Sequence, residues 1–191
     1  MLNHKKAARL PDSIQFTRNG LPVEARRTQL GEVRVAGHSL RIADMMYEEG
    51  SDGQPCLPVR VPDGSFPVHA YQWDHPRGII NVCVVVAFGP QRWATTRPLV
   101  VQNEWRPDIT HGVIVDTAEL TLWSVTAVTF AAGLGDGVYP VVGVYNYGLF
   151  AQAIVVDLLL WRNDSHRVIL LPGQVIDEYG IVRKVGPDGQ T

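Results

Sequence analysis

A mainly β fold, either a two-sheet sandwich or a barrel-like sheet, is predicted by three features of this sequence. Short segments alternate apolar and polar residues, as half-buried strands do, and Gly, Pro, Asn and Asp separate them. Two stretches about seventy residues apart carry one signature, Asp63-Gly64-Ser65-Phe66-Pro67-Val68 and Asp136-Gly137-Val138-Tyr139-Pro140-Val141. Each leads, after a turn, into an apolar run, Ile79 to Phe88 and Ala153 to Trp161. A turn and two strands used twice is an architectural pattern, so two similar β-hairpin units are expected, at about 61–88 and 134–161.

The elements follow in chain order. Residues 1–29 are polar and poorly periodic, and read as a partly mobile N-terminal arm ahead of a single domain over 30–191. Glu32-Val33-Arg34-Val35 and Ser39 to Asp44 alternate around Ala36-Gly37-His38 and read as a hairpin. Residues 48–58 are a loop rich in breakers. Val59 to Val61 is a short strand, and Pro62-Asp63-Gly64 a turn. Phe66 to Trp73 pairs with Ile79 to Phe88. Pro67 has no N–H to give, which places it on an edge or at a bulge. Gly112 to Asp116 is a strand. Thr117 to Phe130 reads as a strand or a helix: Thr121, Thr126, Val128 and Thr129 favour a strand, Ala118, Leu122 and Val125 would share one helical face, and a short helix is the expectation. The second unit pairs Tyr139 to Tyr145 with Leu149 to Trp161, and further strands are expected over Arg167 to Leu171 and near Ile181.

In order along residues 30 to 160, several motifs carry a family resemblance. They are Leu30-Gly31-Glu32-Val33-Arg34-Val35-Ala36-Gly37, a strand ending at Asp44, Val61-Pro62-Asp63-Gly64-Ser65-Phe66-Pro67-Val68, Val115-Asp116, and Gly133-Leu134-Gly135-Asp136-Gly137-Val138-Tyr139-Pro140-Val141 with Ile154-Val155-Val156-Asp157 after it. With these the chain resembles the uncharacterised family called domain of unknown function 4241. The family tends to have Pro where Met45 stands and Gly where Ala118 stands. The resemblance implies architecture and no activity.

Composition narrows the function classes. With 46% hydrophobic and 19% charged residues, the chain is of ordinary globular type, long enough for a sizeable core. A net charge of −2 argues against a nucleic-acid partner. No apolar run is long enough to span a membrane, and Arg9, Pro11 and Asp12 interrupt any signal peptide, so a cytoplasmic protein is expected. Two cysteines, Cys56 and Cys83, are too few for a disulfide scaffold or a four-cysteine zinc site, and both read as packed thiols. His38, His69, His75, His111 and His166 are scattered without ligand spacing, so neither a metal nor any other cofactor is expected.

The candidate catalytic residues are Asp63 and Asp136, two carboxylates from similar loops that could converge on one cleft, with Asp116 or His69 beside them. An Asp before Gly also accepts hydrogen bonds from its own turn. His69 departs from the shared pattern, since its counterpart is Val142. Three glycines between Gly133 and Gly137 indicate close backbone approach, to a ligand or to another strand. Candidate binding residues are Trp105 in a polar loop, Tyr139 in the second signature, and Asp157, which interrupts an apolar run and must face solvent or find a partner. The function expected is a non-enzymatic binding or protein-interaction domain, through a protein partner or self-association. The alternative is a hydrolase or lyase using Asp63 and Asp136. An accessory or immunity-like bacterial role would suit the former.

Overall fold

The computed structural model of the chain describes residues 10–18, 21–45, 56–89, 95–98, 113–115, 117–133, 135–145, 149–159, 174–176 and 182–184. They form fifteen strands and, among the described residues, no helix. In chain order these are β1 (Ser13–Arg18), β2 (Leu21–Val35), β3 (Ser39–Asp44), β4 (Leu57–Arg60), β5 (Gly64–His75), β6 (Gly78–Ala87), β7 (Thr95–Pro98) and β8 (Val113–Val115). They continue with β9 (Glu119–Trp123), β10 (Ala127–Ala131), β11 (Gly137–Tyr139), β12 (Val141–Tyr145), β13 (Ala151–Asp157), β14 (Gln174–Ile176) and β15 (Val182–Lys184). The mainly β, two-sheet reading holds. A seven-stranded sheet runs β1-β2-β5-β6-β13-β12-β7, and a four-stranded sheet runs β10-β9-β3-β4. β8 pairs with β11, and β14 with β15.

The apolar runs became the central strands. β6 pairs with β5 on one side and β13 on the other, all antiparallel. Both faces of β6 are covered, which is why its sequence is apolar at nearly every position. Val84 and Val86 join the core between the two sheets, with Val33, Leu40, Ile42, Val68, Leu120, Leu122 and Ile154. Cys83 and Val85 join a second apolar cluster with Phe16, Ala25, Tyr71 and Leu159. The two hairpins β5–β6 and β12–β13 lie side by side in one sheet, joined along β6 and β13. Their opening segments differ in partner. Ser65 to Pro67 continues β5 and pairs with β2, whereas Gly137 to Tyr139 pairs with β8. Pro67 lies beyond the reach of β6, whose last partner in β5 is Val68, and beside the irregularity at Gln29–Gly31. Its missing N–H therefore breaks no ladder bond to β6.

Three expectations are corrected. Within the stretch assigned to an N-terminal arm, Ser13–Arg18 and the residues from Leu21 are strand, and Ser13–Arg18 pairs with Leu21–Arg26. The alternation of Ile14 and Phe16 with Ser13 and Gln15, and of Val23 and Ala25 with Glu24 and Arg26, supplies the period of two. The segments around Gly37 do not form a hairpin, because β2 and β3 belong to different sheets. Gly37 at φ 70 and His38 at φ 58 reverse the chain, and β3 beyond them pairs with β4 and β9 in the second sheet. The helix expected over Thr117 to Phe130 is the hairpin β9–β10. Leu120 and Leu122 face the core together with Val128 and Phe130. Thr121 and Thr129 share a hydroxyl hydrogen bond of 2.9 Å across the strands. Val125, needed for the helical face, is 56% exposed at the turn. Ala118, where the resembled family tends to have Gly, sits at φ 60, the left-handed region that glycine enters without strain.

The sheets are tied by polar contacts as well as by the core. The β9–β10 turn docks on the edge of β2. Val125 N–H donates to the Arg34 carbonyl at 2.9 Å, and Arg34 N–H donates to Thr126 Oγ1 at 2.8 Å. Buried Asn81 of β6 accepts from Gln72 Nε2 at 3.0 Å and donates from Nδ2 to the Ala131 carbonyl at 3.0 Å. Replacing Asn81 by Leu strips both neighbours of their partner inside the protein, and should cost about 2 kcal/mol. Replacing Thr126 by Val opens an exposed backbone group to water and should cost about 0.5 kcal/mol. Urea unfolding of the two variants measures the difference, and equal losses would contradict the bridging role of Asn81.

Candidate functional site

The seven-stranded sheet is longer than the sheet that covers it. In the second half of β2, Val33 and Val35 are buried in the inter-sheet core. In the first half, Pro22, Glu24, Arg26 and Thr28 stand exposed while Ala25 is buried on the other face. The irregularity between Gln29 and Gly31 marks the change. Arg26 lies opposite Gln72, and Asp74 opposite Ile79, so polar groups of β2 and β5 gather on the overhanging part of the sheet. They line an open groove of ≈ 610 Å³ with Pro22, Val23, Glu24, Arg26, Thr28, Gln72, Trp73, Asp74 and Ile79 on its walls.

The groove carries charges of both signs. Arg26 reaches Glu24 at 3.6 Å, and its side chain is 81% exposed, so this contact leaves the guanidinium available to other partners. Gln72 is fixed by its bond to Asn81. On the reverse face of the same ribbon, Trp73 is held by edge contacts with Phe16 at 6.0 Å and His75 at 4.5 Å, and by Arg18, 5.7 Å from the ring centre. The strands that form the groove are therefore braced from behind by an aromatic cluster.

Asp63 accepts from His38 N–H at 2.7 Å, and lies 3.3 Å from His38 Nδ1. It thus holds the turn between β2 and β3, whose left-handed His38 would otherwise leave that N–H to water. Asp136 is exposed in the loop before β11. The two carboxylates lie toward opposite ends of β6. Asp63 precedes the segment in which Phe66 packs on Phe88 at 4.9 Å, past the end of β6. The loop that carries Asp136 touches Asn81, near its beginning. Seven residues of strand, about 23 Å, separate Asn81 from Phe88.

The glycine loop approaches protein. A Cβ at Gly133, where φ is 68, would lie 3.0 Å from the Asn81 carbonyl oxygen and 3.3 Å from Leu158 Cβ. Tyr139 is fully buried and donates its hydroxyl to the Gly135 carbonyl. Asp157 does not face solvent. It is 2% exposed, accepts from Leu159 N–H at 3.0 Å, and pairs across the sheet with Cys83. Asp44, which the sequence reading had only as a strand end, is a second buried carboxylate. It accepts from Thr117 N–H at 2.9 Å and from Thr117 Oγ1 at 2.7 Å. Asp116 and Trp105 lie outside the described residues, as do Trp93, Trp161, His111, His166 and the strand expected over Arg167 to Leu171. Among the described residues no group of His, Cys, Asp and Glu is placed to hold a metal ion. No helix among them is long and apolar enough to cross a membrane.

The groove residues were missed because half of them fall in the stretch read as an arm. The signal was there, in the strict alternation from Leu21 to Arg26. Compared with protein-family models, with curated proteins and with solved structures, the chain matches none.

Burial pushes the Cys83 thiol up to about 12, and the Asp157 carboxylate adds to the effect, so the thiol stays protonated at physiological pH. Burial also raises Cys56, with Arg41 and a hydrogen bond from the Ile42 backbone acting in the other direction. A colorimetric disulfide reagent at mildly alkaline pH should therefore label Cys56 slowly and Cys83 only after unfolding. Rapid reaction of both in the folded protein would contradict the packing of Cys83.

His69 is the second titration test. Its Nδ1 is buried without a hydrogen-bond partner, and burial followed by the Arg27 charge lowers its pKa. The folded state thus binds this proton more weakly than the unfolded chain, so its contribution to stability falls as pH drops below about 6.5. Thermal unfolding from neutral pH to about pH 5 should show a smaller loss for His69→Gln than for the wild type, and equal slopes would remove His69 from the account.

Proposed function

We infer that the protein is a non-enzymatic binding domain, and that an extended segment of a protein partner lies in the groove over β2, β5 and β6. The carrying observation is the convergence of Arg26, Glu24, Thr28, Gln72 and Asp74 around one open cleft whose walls include Trp73 and Ile79. Its volume lies in the range of ligand clefts. A polypeptide matches this lining: main-chain amides for Gln72 and Thr28, side-chain charges for Arg26 and the carboxylates, and apolar surface for Ile79.

The hydrolase or lyase reading draws less support. Paired carboxylates act across one reacting bond, within about 10 Å of each other. Asp63 is engaged with the His38 turn, and Asp136 lies toward the far end of β6. Membership of the resembled family belongs to the same inference. It is supported by the order of the shared motifs and by the left-handed backbone at Ala118.

The test is amide chemical-shift mapping against a panel of short synthetic peptides of varied charge. Binders should shift Thr28, Gln72 and Ile79. Arg26→Ala, on an exposed side chain, should weaken binding about tenfold, the worth of one lost hydrogen bond to a charged group, without a large change in Tm. Shifts that avoid the groove would refute the placement. Turnover of a panel of chromogenic esters, phosphates and glycosides, abolished by Asp63→Asn or Asp136→Asn, would favour the enzyme instead.

A further inference from the structure

The outer edge of β1 presents a strand built to pair with itself. We propose that two copies of this chain associate through antiparallel β1–β1 pairing about a two-fold axis at Gln15, which fuses the two seven-stranded sheets into one. This is separate from the groove reading and stands or falls on its own.

Comparison of the sheet edges comes first. β1 and β7 end the seven-stranded sheet, and β4 and β10 end the four-stranded one. β4 contains Pro58 and β7 contains Pro98, each without an N–H to offer a further strand. The turn at the head of β10 is engaged with β2. β1, Ser-Ile-Gln-Phe-Thr-Arg, has no proline and no charge before Arg18. Among the described residues no strand lies on its outer side.

The hydrogen-bond phase of that edge can be read from its inner side. Arg27 N–H donates to the Asp12 carbonyl at 2.9 Å, which makes 12 and 27 a hydrogen-bonded pair of the ladder. Antiparallel ladders alternate, so the backbone groups of Ile14, Phe16 and Arg18 point toward β2. Those of Ser13, Gln15 and Thr17 point outward. With Gln15 opposite Gln15 of the second copy, Ser13 falls opposite Thr17 and Thr17 opposite Ser13. All three outward-pointing residues then meet outward-pointing partners, with each pair exchanging both of its bonds.

The side chains agree with this register. Ile14 and Phe16 lie on the face of the second apolar cluster. In the proposed pairing each Ile14 stands opposite Phe16 of the other copy, so apolar meets apolar on that face. At either end Asp12, already bridged to Arg27 at 2.6 Å, falls opposite Arg18 of the second copy, unlike charges facing. A slip by one residue would set Ile14 and Phe16 against polar positions on the wrong face. The two-fold axis is perpendicular to the sheet, so both grooves open on the same face of the dimer. An interface of one short strand pair is small, and fits a dimer that dissociates on dilution.

Sedimentation velocity over a dilution series is the first measurement. The wild type should move from dimer to monomer on dilution. Gln15→Lys, a change on an exposed side chain that sets two ammonium groups against each other at the axis, should remain monomeric with an unchanged Tm. The second measurement uses cysteine cross-linking in a Cys56→Ser background. Gln15→Cys should form a disulfide dimer on mild oxidation, since directly opposed hydrogen-bonded residues have Cα atoms about 5.5 Å apart. Ser13→Cys should not, because its two copies lie about 13 Å apart along the strands. A wild type that stays monomeric at its highest soluble concentration overturns the proposal. So does a dimer that survives Gln15→Lys, or cross-linking that is as efficient at position 13 as at position 15.

Discussion

The structure depends on how β2 satisfies its backbone. This one strand borders β1 along its first half and β5 along its second, and at Glu32 to Ala36 its free edge is met by the β9–β10 turn. A fifteen-residue strand left open there would expose a row of unpaired donors and acceptors. Closing that edge with Ser124, Val125 and Thr126 brings the second sheet over the first and places Leu120, Leu122, Val128 and Phe130 in the core. The approach is close enough that a Cβ at Gly31 would lie 3.2 Å from Val128. The same irregularity that brings Gly31 under Val128 also changes which face of β2 is covered.

The groove follows from this arrangement. Because the second sheet covers only the part of β2 beyond Gly31, the strands before it overhang, and their inner face is left to polar residues. On the other face of the ribbon, Phe16, Ala25, Tyr71 and Trp73 supply the apolar support that the overhang needs. One irregularity in one strand thus separates a region covered by the second sheet from a region whose inner face is open.

The buried polar groups belong to the stability side. Asp44 and Asp157 are both 1–2% exposed, yet each accepts hydrogen bonds at a strand end, where a carboxylate can receive N–H groups that no ladder uses. Asn81 performs the neutral version between β6 and β10. Asp63 does the same at the surface, where its carboxylate holds a turn that changes layers. Asp63 of the first signature and Tyr139 of the second are in this sense fastenings, and Gly133 is small because Asn81 and Leu158 leave no room for a side chain.

The sequence by itself determined the β class, the two hairpins and the central apolar strands. Those properties are local: a period of two, a run of Val and Ile, an Asp-Gly turn. It also named Asp63, Asp136, Asp157, Tyr139 and His69 as unusual, though not what each one touches. Only the tertiary structure decided that β2 and β3 part into different sheets, since two strands joined by a tight turn read alike whether they pair with each other or with distant partners. It decided that Thr117 to Phe130 is a hairpin, because the choice lay with Arg34 and the core facing it and not with the local pattern. It also made residues 13–18 and 21–29 strand and assembled the groove from residues 22–28 and 72–79, whose closeness is a matter of sheet order and register. Pairing between strands far apart in the chain is a non-local contact, and no window of sequence contains it.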